Sequence, residues 1–388
     1  MSITRKKEIQ DFASELKEIN TIDEFISTIR EWFREDTYEF KTKYLNAVKN
    51  VNPFPAGTDS SVKYEWKKPK SEALDNLCNF FKDWYEWNPS LQTGLEYIQK
   101  FSWLYYENQD GLDFVTTGMG FLMTLAFVKL NGTKMDSSAS KALVDKWIDQ
   151  IGKEEMSKYI IPEGGYKNFN EFFARELKTP RTISSPDDES IVVSPADAIV
   201  NMIDDSLTVS KKLDVKTQKL SVEELLDNSP HASSFEGGTA ISNILMPTVY
   251  HRYHAPVSGQ VIESNEDVTG IYFGIQDFPK LINGGNVGYG YDYSIFEHFR
   301  RGYLIIETKD YGKVAMIPVG LNTISSVIFH SKFKKIESGD KTHEIKKGEE
   351  VGYFQYGGSL NILLFEKGVF PAIRIPQGQM IGTMNKIQ

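Results

Sequence analysis

The sequence predicts an α+β fold, with a helical N-terminal domain over residues 1–155 and a mostly antiparallel, β-rich domain over 160–388. Three observations predict it. Apolar residues in the first part recur at helical spacing, and those in the second gather into short β-rich runs. These runs do not alternate with long helices, as a doubly wound sheet requires. With 388 residues, 40% hydrophobic and 25% charged, the chain is globular in composition and long enough for two cores.

The first helix opens at Thr21-Ile-Asp-Glu24, a capping box in which threonine and glutamate satisfy each other's backbone amides. Ile22, Phe25, Ile26, Ile29 and Phe33 then make one apolar stripe. Further helical runs span Glu72–Trp87, Leu91–Glu107, Leu112–Leu130 and Ser138–Ile151, with breaks at Pro53, Pro55 and Pro89. Trp84, Trp87, Trp103, Tyr105 and Tyr106 read as an aromatic helical core rather than a ligand cage. Asn131-Gly132-Thr133 reads as a turn. Gly118–Leu130, the most apolar stretch, falls short of the ~20 residues that cross a bilayer. The charged start carries no secretory signal, so a cytoplasmic location is expected.

Beyond residue 160, strands are expected at Ile191–Val193, Ala198–Val200, Gly259–Ile262, Tyr303–Glu307, Lys313–Val319, Ile324–Phe329 and Leu360–Phe365. Helices are expected at Phe169–Leu177 and Ser221–Leu226. The 44 basic against 53 acidic residues give a net charge of −9, which argues against nucleic acid and offers no pull towards anionic lipid. The single cysteine, Cys78, excludes an intrachain disulfide and a multi-cysteine zinc site, and its apolar neighbours mark it as a buried hydrophobe.

Three segments could carry chemistry. Pro247-Thr-Val-Tyr-His251-Arg-Tyr-His254-Ala-Pro256 sets two imidazoles three residues apart in a strand or loop. No cysteine or glutamate stands nearby at zinc-ligand spacing, so no metal is expected there. The pair suits proton transfer, or two rings hydrogen-bonded to backbone. Asp197, in Ser194-Pro-Ala-Asp197, either orients an imidazole or caps a turn. In Gly357-Gly358-Ser359, glycines leave room for a serine to attack the preceding carbonyl, or make a turn before a buried strand. This is not a nucleophile elbow, since no glycine stands two places after Ser359. Gly284–Gly290 reads as a mobile loop rather than a phosphate loop.

Taken in order, Phe169-Asn-Glu-Phe-Phe173-Ala-Arg175, Ser194–Asp197, Ser221–Leu226, Tyr250–Gly259, Lys347–Phe354 and Gly357-Gly358-Ser359 resemble the phosphatidylserine decarboxylase family. The resemblance covers roughly residues 160–388. It implies a zymogen that cleaves itself between Gly358 and Ser359, converting Ser359 into a covalent pyruvoyl group, the only cofactor. It assigns Asp197 and His254 to a triad with Ser359, with Asp197 orienting His254, and makes His251 the acid that protonates the substrate carbon. The pyruvoyl carbonyl would take the substrate amine as a Schiff base and remove its α-carboxylate, while the two cleaved chains stay associated. Ala198 and Leu360 depart from the family's usual glycine and serine or threonine; Leu360 removes a hydroxyl from the processing site.

The long helical extension resembles that of a soluble branch that includes fungal L-tryptophan decarboxylase. A free, aromatic L-amino acid is therefore the expected substrate. Phosphatidylserine is the alternative, and an unprocessed, non-catalytic binding protein is a second. The loop from Asp267 to His298, with Tyr289 and Tyr291, is a candidate substrate lid.

Overall fold

The computed structural model describes residues 19–209, 221–276, 278–279, 298–323, 327–370, 373–375 and 377–382. The capping box forms as expected: Thr21 Oγ1 accepts the Glu24 amide at 3.2 Å, and Glu24 Oε2 accepts the Thr21 amide at 3.0 Å. It starts helix α1 (Ile22–Glu35), whose Phe25, Ile29 and Trp32 are buried. There follow α2 (Phe40–Lys49), α3 (Ala73–Glu86), α4 (Glu96–Ser102), α5 (Gln109–Thr116), α6 (Gly118–Asp136), α7 (Lys141–Ile151) and α8 (Lys153–Met156). The tryptophan-rich stretch is core. Trp84 packs on Phe127 at 5.0 Å and on Phe273 at 5.7 Å, and Cys78 is buried with its thiol pushed up to about 11 by desolvation.

Four helical expectations are corrected; of Phe169–Leu177 only Phe169–Phe173 is helical, and Leu177 instead bridges to Tyr159. Of Leu91–Glu107 only Glu96–Ser102 is helical. Leu112–Leu130 is two helices meeting at Thr117 with a 60° bend, where Gly118 takes a φ of 54° that glycine tolerates best. Asn131-Gly132-Thr133 lies inside α6, because that helix is surrounded by other helices and its packing outweighs local turn preference. No single helix among the described residues is long and apolar enough to cross a membrane.

The second half is antiparallel sheet, with the short helices α9 (Phe169–Phe173) and α10 (Val222–Leu225) beside it. Its strands are β1 (Ile199–Asp204), β2 (Thr239–Leu245), β3 (Arg252–His254), β4 (Gly259–Val268), β5 (Arg301–Glu307), β6 (Lys313–Thr323), β7 (Val327–Phe329), β8 (Lys335–Ile336), β9 (His343–Ile345), β10 (Glu350–Phe354) and β11 (Gly357–Phe365). One sheet runs β1-β2-β11-β6-β5-β4-β8 with β9 also on β4, and a smaller one runs β3-β10-β7. The expected strand at Ile191–Val193 does not form. Val193 donates to the Pro256 carbonyl at 3.0 Å without continuing into a ladder.

The large sheet is buried on both faces. Leu360, Ile362 and Leu364 of β11 join a core shared with the N-terminal helices, whereas Leu363 and Phe365 join a second core with Phe173, Tyr250, Tyr253 and Tyr356. Strand alternation thus assigns each β11 side chain to a helical side or to the side of the small sheet.

Candidate active site

Ser359 stands at the head of β11, opposite Leu245 of β2 and Gly320 of β6, and is 1% exposed. It shares a face with Leu363 and Phe365, so its hydroxyl looks towards the small sheet that carries the histidines. Just before it the ladder slips: Gly357 pairs with Thr323 but Gly358 with Leu321. Gly357 has a φ of 152°, and a Cβ on Gly358 would meet Leu321 Cβ at 2.9 Å and its carbonyl oxygen at 3.0 Å. Both glycines are therefore required by geometry, and the irregularity falls between Gly357 and Gly358, one bond before the Gly358–Ser359 peptide. Ser359 Oγ makes a single long hydrogen bond, 3.5 Å to the Gly357 carbonyl, which leaves it poorly held and free to turn.

His254 ends β3. Its Nδ1 lies 2.9 Å from the Gly348 carbonyl, which can only accept, so Nδ1 carries the proton. In the neutral ring Nε2 is then the acceptor, and it receives the Tyr250 hydroxyl at 3.1 Å. Desolvation lowers the His254 pKa, so the ring is a neutral base near pH 7. Asp197 does not make the orienting contact expected of it. It pairs with Arg181, while the backbone of its own segment reaches β3 through the His254 amide on the Pro195 carbonyl at 2.8 Å. A backbone carbonyl fixes the ring in its place. Asp197 still acts on His254 through space, favouring its protonated form, and burial raises the carboxyl's own pKa against the pull of Arg181.

His251 is fully buried and stacks on Phe173, ring centres 3.8 Å apart. Neither ring nitrogen completes a hydrogen bond. Burial, reinforced by the Arg175 guanidinium, pushes its pKa down to about 3, so it is neutral at physiological pH. Arg175 also binds the Thr248 and Val249 carbonyls at 2.6 and 3.1 Å, pinning the turn that leads into His251. The Phe169–Arg175 segment is thus the wall of the histidine site.

The sequence reading missed Asn170. It is 3% exposed, accepts the Tyr356 amide at 3.0 Å and donates to Asp136 of α6 at 2.9 Å. Tyr356 is boxed by Trp147, Phe169 and Phe173 at 6.0, 5.1 and 5.5 Å. The residue three before Ser359 is therefore anchored by both halves of the chain. A buried polar side chain inside an otherwise aromatic run was the signal available in the sequence. Tyr250 and Gly348 were missed as well, since only the folded chain brings them to His254.

No hydrogen bond links Ser359 to either histidine, and among the described residues no cluster of side chains suits a metal ion. Leu360 is 0% exposed on the opposite face, in the helical core, so the hydroxyl it lacks would point away from Ser359. Ala198 packs at the margin of the histidine-side core. Most of the candidate lid, with Tyr289 and Tyr291 and the glycines of 284–290, lies outside the described residues.

The phosphatidylserine decarboxylase family model matches residues 169–386. The chain is similar to the phosphatidylserine decarboxylase proenzyme of Fusobacterium nucleatum, 31% identical over 258 residues that make up 66% of this chain and 78% of the relative. Its likeness to the Clostridium perfringens proenzyme is 32% over 275 residues, 71% of this chain and 84% of that one. For phosphatidylserine decarboxylase proenzyme 2 of Oryza sativa the figures are 33% over 267 residues, 68% and 39%.

Proposed function

The chain belongs to the phosphatidylserine decarboxylase family and is a carboxy-lyase; we propose that it is a proenzyme that cuts itself between Gly358 and Ser359 and then decarboxylates the serine headgroup of phosphatidylserine. The observation that carries this reading is the glycine-framed, loosely held Ser359 facing the histidine layer at a ladder slip. Relatives named for phosphatidylserine favour that lipid over the free aromatic amino acid expected from the helical extension.

In the cleavage step, His254 Nε2 takes the Ser359 hydroxyl proton and Oγ attacks the Gly358 carbonyl carbon. The peptide C–N bond breaks as its nitrogen takes that proton, leaving an ester. Loss of the Ser359 α-proton expels the Gly358 carboxylate from Cβ. Water then replaces nitrogen at Cα, ammonia leaves, and residues 359–388 begin with a pyruvoyl group. Ser359 fits that product, because it is a hydroxyl residue behind a glycine that no Cβ could replace. Once formed, the group supplies an electron-withdrawing carbonyl that can hold a substrate amine and accept the electrons left as carbon dioxide departs.

The remaining work falls to this chain's side chains. Tyr250 and the Gly348 carbonyl hold His254 in the tautomer that can accept a proton. Asp197 steadies the imidazolium that results. His251, kept neutral, brings no stored proton; it can relay one, accepting at one ring nitrogen while releasing from the other. Its apolar wall favours loss of a poorly solvated carboxylate.

Intact mass over time tests the first step. The 44.2 kDa chain should give residues 1–358 and 359–388, the latter without a free α-amine, and Ser359→Ala should stay whole. A wild-type chain that never cleaves overturns the reading. Carbon dioxide and amine release from phosphatidylserine vesicles, against free L-tryptophan, tests the substrate; turnover of tryptophan alone would reverse the assignment.

A further inference from the structure

Buried amides nearly always find hydrogen-bond partners, because leaving one unpaired forfeits the water it gave up. Asn361 breaks that rule. It is 0% exposed, and neither its Oδ1 nor its Nδ2 has a partner. It follows Ser359 by two residues in β11, so both side chains stand on one face, the face whose Leu363 and Phe365 meet the histidine-side core. Across the ladder Asn361 is paired with Asn243 of β2, itself 5% exposed. The Asn243 Nδ2 reaches only the Ile241 and Asn361 carbonyls, at 3.5 and 3.4 Å. Two adjacent amides thus lie one strand repeat from the cleavage site with hydrogen-bonding capacity unspent.

We propose that Asn361, backed by Asn243, binds the α-carboxylate of the substrate; this rests on the pyruvoyl reading of Ser359. One strand repeat is about 7 Å. Subtracting a hydrogen bond of about 3 Å leaves roughly 4 Å. That is the reach of an amine–carbon–carboxylate unit made of ~1.5 Å bonds, the unit shared by a free amino acid and a serine headgroup. An amine held at residue 359 would therefore bring its carboxylate to the Asn361 Nδ2. An amide also suits the reaction better than an arginine would. It orients the carboxylate through N–H donors but adds no full positive charge, so it does not hold the ground-state anion against leaving.

The test uses the self-cleaved protein reduced with borohydride, which keeps the site but cannot react. Calorimetry compares glycerophospho-L-serine, glycerophosphoethanolamine and free L-serine as ligands of wild type, Asn361→Leu and Asn361→Ala. In wild type the serine headgroup should bind more tightly than the ethanolamine one, which lacks only the carboxylate. Both variants should lose this preference, roughly 10- to 100-fold, while holding glycerophosphoethanolamine as before and cleaving themselves at the wild-type rate. Binding of free L-serine as well as the headgroup would mark the amine–carboxylate unit as sufficient; headgroup binding alone would mark the lipid as the source. An undiminished preference for serine in both variants overturns the proposal, as does loss of self-cleavage in both, which would make Asn361 part of processing. A wild-type chain that fails to cleave instead removes the pyruvoyl reading, and the two failures are told apart by mass.

Discussion

Replacing His251 should change how the fold responds to acid. In the native chain its pKa is pushed down to about 3, against 6.5 for the free side chain, chiefly because the ring is buried on Phe173 and secondarily because Arg175 is near. A depressed folded pKa stabilises the native state above pH 6.5, and that stability is lost as pH falls towards the folded value. Between those limits the unfolded chain holds a proton that the native ring refuses. Each pH unit then costs about 1.4 kcal/mol, so about 2 kcal/mol is lost by pH 5. The assay is urea unfolding of the uncleavable Ser359→Ala chain at pH 5, 6, 7 and 8, with and without His251→Phe. With a denaturant slope of several kcal/mol per molar for a chain of this length, the parent midpoint should fall by roughly 0.5 M more than that of the variant. His254, also depressed, contributes to both and cancels in the comparison. His251→Gln should behave like the phenylalanine variant. Parallel pH dependences in parent and both variants would refute the claim that His251 is held neutral by burial.

Three further outcomes follow from the contacts. Tyr250→Phe removes the hydroxyl that stabilises neutral His254 at 3.1 Å, so the acid limb of the self-cleavage rate should move to higher pH, read from fragment appearance by mass. Asn170→Ala leaves the Tyr356 amide unpaired beside a rigid aromatic box, at a cost of about 1–3 kcal/mol. Its unfolding midpoint should drop and cleavage slow about tenfold; Asn170→Asp should fare no better, because it keeps the acceptor but sets a second carboxylate against Asp136. Gly358→Ala pushes a Cβ to 2.9 Å from Leu321 Cβ and should nearly stop cleavage, with partial recovery when Leu321→Gly removes that Cβ. Equal cleavage time courses for the single and double variants would show that this contact does not govern the step.

Much of this protein was legible in its sequence because the deciding signals are local. Helical spacing and the Thr21 capping box depend on residues a few places apart, and the run into β11 announced itself through Leu360–Phe365. The order of the motif segments also points to Ser359, His254, His251 and Asp197 as candidates. What could not be read there are relations between distant segments. Strand alternation puts Ser359 and Leu360 on opposite faces, but only packing reveals that one face meets the histidines and the other the N-terminal helices. The same holds for the Gly348 carbonyl that takes the orienting place expected of Asp197, and for the unpartnered amide of Asn361. Residue identity settles which bonds a side chain can make, a property of one position; burial, partner and pKa are properties of everything folded around it, and these the tertiary structure decided.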